Sequence, residues 1–232
     1  MSFIKNQKKW TLILLVGAFA ITGIAIGTFF SRQQSRFIDP RISPIIEQYK
    51  KFNGFVAAGQ YDSALVLLDD IQKIYRRYPH YQVSFEVGAL YNHRTETYIA
   101  MALKPGIAPL SKDSLLNLAQ IQANTSISLY AGWINTWKEL TEQEIRQIIR
   151  PYFSPYDEIF RQKNVERFIN NRVRQIVEAQ AETPRRLSVA KTNLGVVLRH
   201  KDMHDDAVKS FEQALELWPD NPAARNNLND II

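Results

Sequence analysis

The chain contains no cysteine. That excludes disulfides, thiolate metal sites and cysteine nucleophiles, and it leaves the redox compartment open. Histidine is scarce: His80, His93, His200 and His204 are the only four, and none sits in a metal-binding spacing such as HExxH. His200 and His204 are four apart, but Lys201-Asp202-Met203 between them reads as a turn between helices. A glycine-rich phosphate loop and a nucleophile elbow are missing as well. Strand-like alternation of apolar and polar residues is absent. These gaps point away from an enzyme, a cofactor or a metal centre. They leave a chain that is all helix.

A dominant charge is also lacking. The formal net charge is +6 over 232 residues, from 29 basic and 23 acidic residues. Lys5, Lys8 and Lys9 are the only charges in the first thirty residues, so 26 basic residues face 23 acidic ones in the remainder. That balance does not suit nucleic acid. One stretch lacks charge altogether. Trp10 to Phe30 is 21 residues without a charge, and such a helix matches the ~30 Å hydrocarbon core of a bilayer at about 1.5 Å per residue. Trp10 and Phe29-Phe30 at its ends suit the interfaces. A cleavable signal peptide, cut near Ala25-Ile26-Gly27, is the rival reading, although the apolar run exceeds a typical signal core of about 7–15 residues.

The chain therefore divides into a basic tail at 1–9, a transmembrane helix at 10–30, a linker at 31–42 and a helical domain at 43–232. Three lysines and the α-amino group precede the span, against Arg32, Arg36 and Arg41 after it. By a narrow margin the positive-inside rule places the carboxy-terminal domain on the non-cytoplasmic side. Gly23 and Gly27 form a small-xxx-small pair on which two anchors could pack, so a homo-oligomer is open.

The helical domain is legible through its breaks. Ser43-Pro44 opens a helix carrying Ile45, Tyr49, Phe52 and Phe55, which turns near Gly59-Gln60-Tyr61. Ala64, Leu67, Leu68, Ile71 and Tyr75 give the next buried face, closed by Pro79. Val87-Gly88-x-x-Tyr91 lies on a third helix, and Lys104 to Leu110 is a loop. Leu116, Ala119, Ala123, Ile127, Tyr130, Ile134 and Trp137 are spaced by threes and fours from a cap at Ser111, with a break possible near Asn124-Thr125-Ser126 or Gly132. The Asn124-Thr125-Ser126 triplet fits a glycosylation acceptor, but a place inside a helix argues against that use. Thr141-x-x-Glu144 is a capping box, and Pro151 ends the helix it starts. Ser154-Pro155 predicts a helix running to about Gln180, and Thr183-Pro184 predicts the start of the next.

The clearest unit is Ser188 to Asn221. Leu194, Gly195 and Leu198 lie on its first helix, and Ala207, Phe211, Ala214, Leu215 and Trp218 on its second. Pro219 stops it, and Asn221-Pro222 opens a final polar helix within 222–232. This spacing of small, large and breaking residues resembles a tetratricopeptide repeat (TPR), with Gly195, Ala207 and Ala214 small where helices cross. Gly59, Tyr61 and Ala64 resemble the turn of a second repeat, 143 residues earlier. That offset is not a whole number of repeats of about 34 residues. The expected fold is therefore an irregular TPR-like α-solenoid of antiparallel helix pairs, closed by a polar cap.

The resemblance implies a scaffold or adaptor that binds protein partners, in the assembly or maintenance of a membrane complex of a bacterial or plastid membrane. Asn193 lies where TPR proteins contact extended peptides. Arg161, Arg167, Arg172 and Arg174, in a basic run with interleaved aromatics, are the other candidate contacts, for an acidic partner or anionic lipid. Two other readings stand beside this one. The divergent region 80–180 could house a small-ligand or enzymatic pocket, or the protein could be a homo-oligomeric structural element of the membrane.

Overall fold

A computed structural model describes residues 38–231. The tail, the candidate span with Gly23 and Gly27, and most of the linker lie outside the described residues. Among those described there is no strand, and no helix is long and apolar enough to cross a membrane. The fold class is all-α.

The helices are α1 (Pro44–Ala57), α2 (Tyr61–Arg76), the single turn α3 (Pro79–Gln82), α4 (Phe85–Ala102), α5 (Pro109–Trp137), α6 (Glu142–Ile149), α7 (Val165–His200), α8 (His204–Leu217) and α9 (Pro222–Asn229). Short 3-10 turns at Arg150–Tyr152 and Glu158–Phe160 lie between α6 and α7. Prolines mark the starts of α1, α3, α5 and α9, where a missing amide hydrogen leaves nothing unsatisfied. Two caps form as their residues dictate. Thr141 and Glu144 exchange side-chain and backbone bonds in a capping box, and Asn221 accepts from the amides of Ala223 and Ala224.

α1 pairs with α2, α4 with α5, and α8 with the second half of α7. Ile45, Tyr49, Phe52, Ala64, Leu68, Ile71 and Tyr75 fill the first hairpin. Leu116, Ala119, Ala123 and Tyr130 are buried along α5, as the spacing predicts. α4 is the centre. It packs against α2, α5 and α7, and it has buried residues on every side, from Phe85 to Ala102.

The structure departs from the sequence reading in three places. α5 is continuous over 29 residues and breaks at neither Asn124 nor Gly132; it begins at Pro109, so Ser111 lies inside it and is not its cap. Ser154-Pro155 does not open a helix: the chain runs as loop and 3-10 turn to Asn164, because Phe153 and Phe160 turn inward and plug the core. Thr183-Pro184 does not open one either. α7 continues through Pro184 for 36 residues, held by burial of Ala179, Thr183, Leu187 and Ala190 on the face turned to its neighbours.

The end of the predicted linker is packed. Asp39 and Ile42 are buried, and the Arg41 guanidinium pairs with Asp39 at 2.7 Å while donating to the Tyr152 carbonyl at 2.7 Å. The residues that lead into α1 thereby clamp the loop that leads into α7.

Candidate functional site

The hairpin of α8 and the second half of α7 takes the geometry its residues require. Gly195 lies against Phe211: a Cβ at Gly195 would be 2.5 Å from the ring. Ala207, Phe211 and Ala214 are fully buried, Leu198 nearly so, and Leu194 packs beside them. Ser188 Oγ donates to the Ala214 carbonyl at 2.6 Å, and Pro219 follows the end of α8. Gly88 of α4 repeats the arrangement against Tyr130 of α5, where a Cβ would be 2.6 Å from the ring.

The two turns 143 residues apart match bond for bond. Gln60 N–H reaches the Phe55 carbonyl at 2.8 Å and Met203 N–H the Leu198 carbonyl at 3.0 Å, each six residues to one. Gly59 has φ +68° and Asp202 has φ +60° at the same position of the turn. Ala64 and Ala207 then donate to Gln60 and Met203 at 3.1 and 3.0 Å. Tyr61 begins α2, with the Lys104 ammonium 4.8 Å above its ring.

Of the candidate contact residues, the structure turns two inward. Asn193 is buried and donates to Asn92 Oδ1 at 3.0 Å and Glu96 Oε1 at 3.2 Å. Arg172 is buried, ion-paired with Glu86, bonded to Gln175 Oε1 at 3.0 Å, and seated 4.5 Å above the Tyr81 ring. Both lie on the face of α7 that covers α4, so their polar groups serve the interior and not a surface. Burial alone would lower the Arg172 pKa, but the Glu86 carboxylate together with Tyr81 and Tyr75 raises the guanidinium well above its ordinary value. Arg161, Arg167 and Arg174 stay exposed.

Sequence reasoning missed the polar interior that α4 builds. Arg94 donates to Asp69 Oδ1 at 2.6 Å and Gln72 Oε1 at 2.8 Å. His93 Nδ1 is 3.2 Å from Glu96 Oε2, and its ring packs 5.1 Å from Phe52. With Asn92, Asn193, Glu86 and Arg172, these residues tie α2, α4 and α7 together. The signal was the run EVGALYNHRTE, polar at consecutive helical positions, which leaves no apolar stripe to choose.

A second feature opens to the outside. A groove of about 410 Å³ is lined by α3 and the residues that join it to α4, the second half of α5, the end of α6 with Tyr152 after it, and α7. Leu129, Trp133, Trp137, Ile149 and Ile176 give it an apolar wall, and Val83 and Ile148 at its rim are exposed. His80 and Ser84 also line it. The His80 side chain is 6% exposed and Ser84 3%, yet His80 Nδ1 and Ser84 Oγ have no hydrogen-bond partner. The His80 ring is stacked 4.7 Å from Tyr152. Burial and the nearby Arg41 and Arg172 guanidiniums lower its pKa against the pull of Asp39, so the ring is neutral at pH 7. Asp39 itself would be raised by burial, but the contacts from His80 and Arg41 bring it to about 2.

His200 and His204 sit at the end of α7 and the start of α8, and no group of three His, Asp or Glu residues fit for a metal occurs among the described residues. No family model, no curated protein and no solved structure matches this chain.

Proposed function

We propose that this chain is a non-enzymatic, single-pass membrane-anchored scaffold, an irregular TPR-like α-solenoid that binds protein partners in the assembly or maintenance of a membrane complex. The observation that carries this reading is the pair of matched turns at Gly59 and Asp202, each followed by a buried alanine at the helix crossing. The glycine–aromatic contacts at Gly88 and Gly195 support it, since they allow the close helix approach that hairpin stacking needs. The uncharged segment Trp10–Phe30 supplies the anchor, with the domain on the non-cytoplasmic side of a bacterial or plastid membrane. Anchoring raises the local concentration of the scaffold at its complex.

The inner face of α4 is covered by α7, so partners meet outer surfaces. The exposed Arg161, Arg167 and Arg174 and the exposed Tyr156 are residue types that anchor interfaces. Two tests apply. Alkaline carbonate extraction of membranes leaves the full chain in the pellet and a chain lacking 10–30 in the supernatant; release of the full chain removes the anchor. Photo-crosslinkers at positions 161, 167 and 174 give one discrete adduct in native membranes, and a smear or nothing at all three removes this surface.

A specific observation favours a second reading. The groove is lined only by residues between Pro79 and Ile176, with an apolar wall of Leu129, Trp133, Trp137, Ile149 and Ile176, which suits a helical-repeat domain with a small-ligand pocket in its divergent region.

A further inference from the structure

A second cavity lies where the chain enters the helical domain. Its volume is about 420 Å³, and Ile38, Pro40 and Phe168 give it an apolar wall. Lys163, Asn164 and Arg167, around the start of α7, give it a polar one, and no carboxylate lines it. The size lies in the range of small-ligand sites, roughly 300–1,000 Å³. Two cations facing an apolar wall suit an anion that carries an apolar body.

The acids nearby are turned to other partners. Glu166, next to Arg167 in the chain, pairs with Arg150 at 2.8 Å, and Asp39 pairs with Arg41. Lys163 Nζ donates to the Ile159 carbonyl at 2.7 Å. An ammonium carries three donors, so that bond does not use up its capacity for an anion.

Position decides where the anion comes from. Seven residues, 31–37, separate Ile38 from the uncharged segment Trp10–Phe30. Fully extended, they reach at most about 30 Å. With that segment across a bilayer, the cavity is therefore tethered within the same distance of the headgroups. The seven residues include Arg32 and Arg36 and no acid, and basic residues beside a span are drawn to anionic lipid. A free phosphate would meet the two cations but leave the apolar wall without contact, whereas a lipid meets both.

We propose that this cavity binds the headgroup of an anionic phospholipid, with its phosphate at Lys163 and Arg167 and its glycerol end against Ile38, Pro40 and Phe168. The site rests on the membrane anchor of the scaffold reading, and it adds a fixed orientation of the domain on the bilayer. Of the three exposed arginines assigned to the partner surface, only Arg167 lines the cavity.

The test is lipid capture by the full chain in a neutral, mild detergent, read by native mass measurement. The probes are short-chain phosphatidylglycerol, short-chain phosphatidylcholine and inorganic phosphate. Phosphatidylglycerol is expected to bind at least about fivefold more tightly than phosphatidylcholine, whose own cation offsets its phosphate. Lys163→Gln and Arg167→Gln should each weaken phosphatidylglycerol binding about fivefold, the contribution of one basic residue at an anionic surface. Lys163→Arg should retain it. Arg174→Gln, which alters an exposed cation outside the cavity, should leave it unchanged. Equal binding of the two lipids overturns the proposal. So does an equal loss in Arg174→Gln, which would mean surface charge at large, or displacement of the lipid by equimolar inorganic phosphate, which would mean a free-phosphate site. The preference in the unaltered chain decides the matter even if a variant fails to fold. Carbonate extraction reads the anchor separately: an anchored chain without the lipid preference loses this site alone, and a chain released by carbonate loses the anchor.

Discussion

At the scale of single residues, two glycines and one histidine carry sharp consequences. Gly88 and Gly195 sit where an added Cβ would be 2.6 and 2.5 Å from aromatic rings fixed in the core. Gly88→Ala and Gly195→Ala should each destabilise by about 1–3 kcal/mol through overpacking. Gly54 is also helical but has nothing within 4 Å of a built Cβ, so Gly54→Ala should stabilise by about 0.5–1 kcal/mol. Urea midpoints of the three variants check the difference in sign. His200 gives a pH dependence. Burial, with Arg199 and Lys112 nearby, depresses its pKa to about 4 from 6.5, and its Nε2 has no hydrogen-bond partner. Above pH 6.5 the ring is neutral folded or unfolded. As pH falls from 6.5 toward 4 the unfolded chain takes the proton first, and about 3 kcal/mol of stability is lost. Unfolding midpoints should fall over that window, and His200→Gln should flatten the fall.

At the scale of elements, what was legible had a local cause. The capping box at Thr141, the Asn221 cap and the proline starts are decided within four residues, so sequence sufficed. The apolar spacing of α5 needs only one buried face. What failed had a distant cause. Thr183-Pro184 has the form of a helix start, but α7 is packed along both sides of that point and tertiary contact overrides the proline. The missing amide still leaves the Gln180 carbonyl without its helical donor. Pro184→Ala should therefore stabilise the protein by about 1–2 kcal/mol, after allowing for the looser unfolded chain. A lower thermal midpoint for that variant would mean that the proline fits a bend the helix needs. α4 was the least legible element. A helix with Glu86, Asn92, His93, Arg94 and Glu96 reads as surface until three other helices are placed around it. The groove was not legible: Trp133 and Trp137 belonged to a stripe that reads as core, and no spacing encodes the packing that brings residues 79–84 beside α5 and α7.

At the scale of the molecule, the described residues form four apolar clusters, and between them the polar residues of α4 bind α2 and α7 to it. The buried Glu86–Arg172 pair joins α7 to α4. Glu86→Gln leaves a buried guanidinium without its carboxylate, and about 3–5 kcal/mol should be lost in chemical denaturation. Replacing both with leucine and methionine should recover most of that. Failure of the double variant to recover would show that the pair stabilises beyond its own charges.

The scaffold reading makes one demand that no feature of the isolated chain can meet: a protein partner in fixed ratio. Native mass measurement of the full chain, affinity-purified from its own membranes in mild detergent, tests this directly. The account predicts one heterologous species at stoichiometric ratio, reduced when Arg161, Arg167 and Arg174 are changed to glutamate. A chain of 26.8 kDa running alone, or as a pure homo-oligomer, contradicts it.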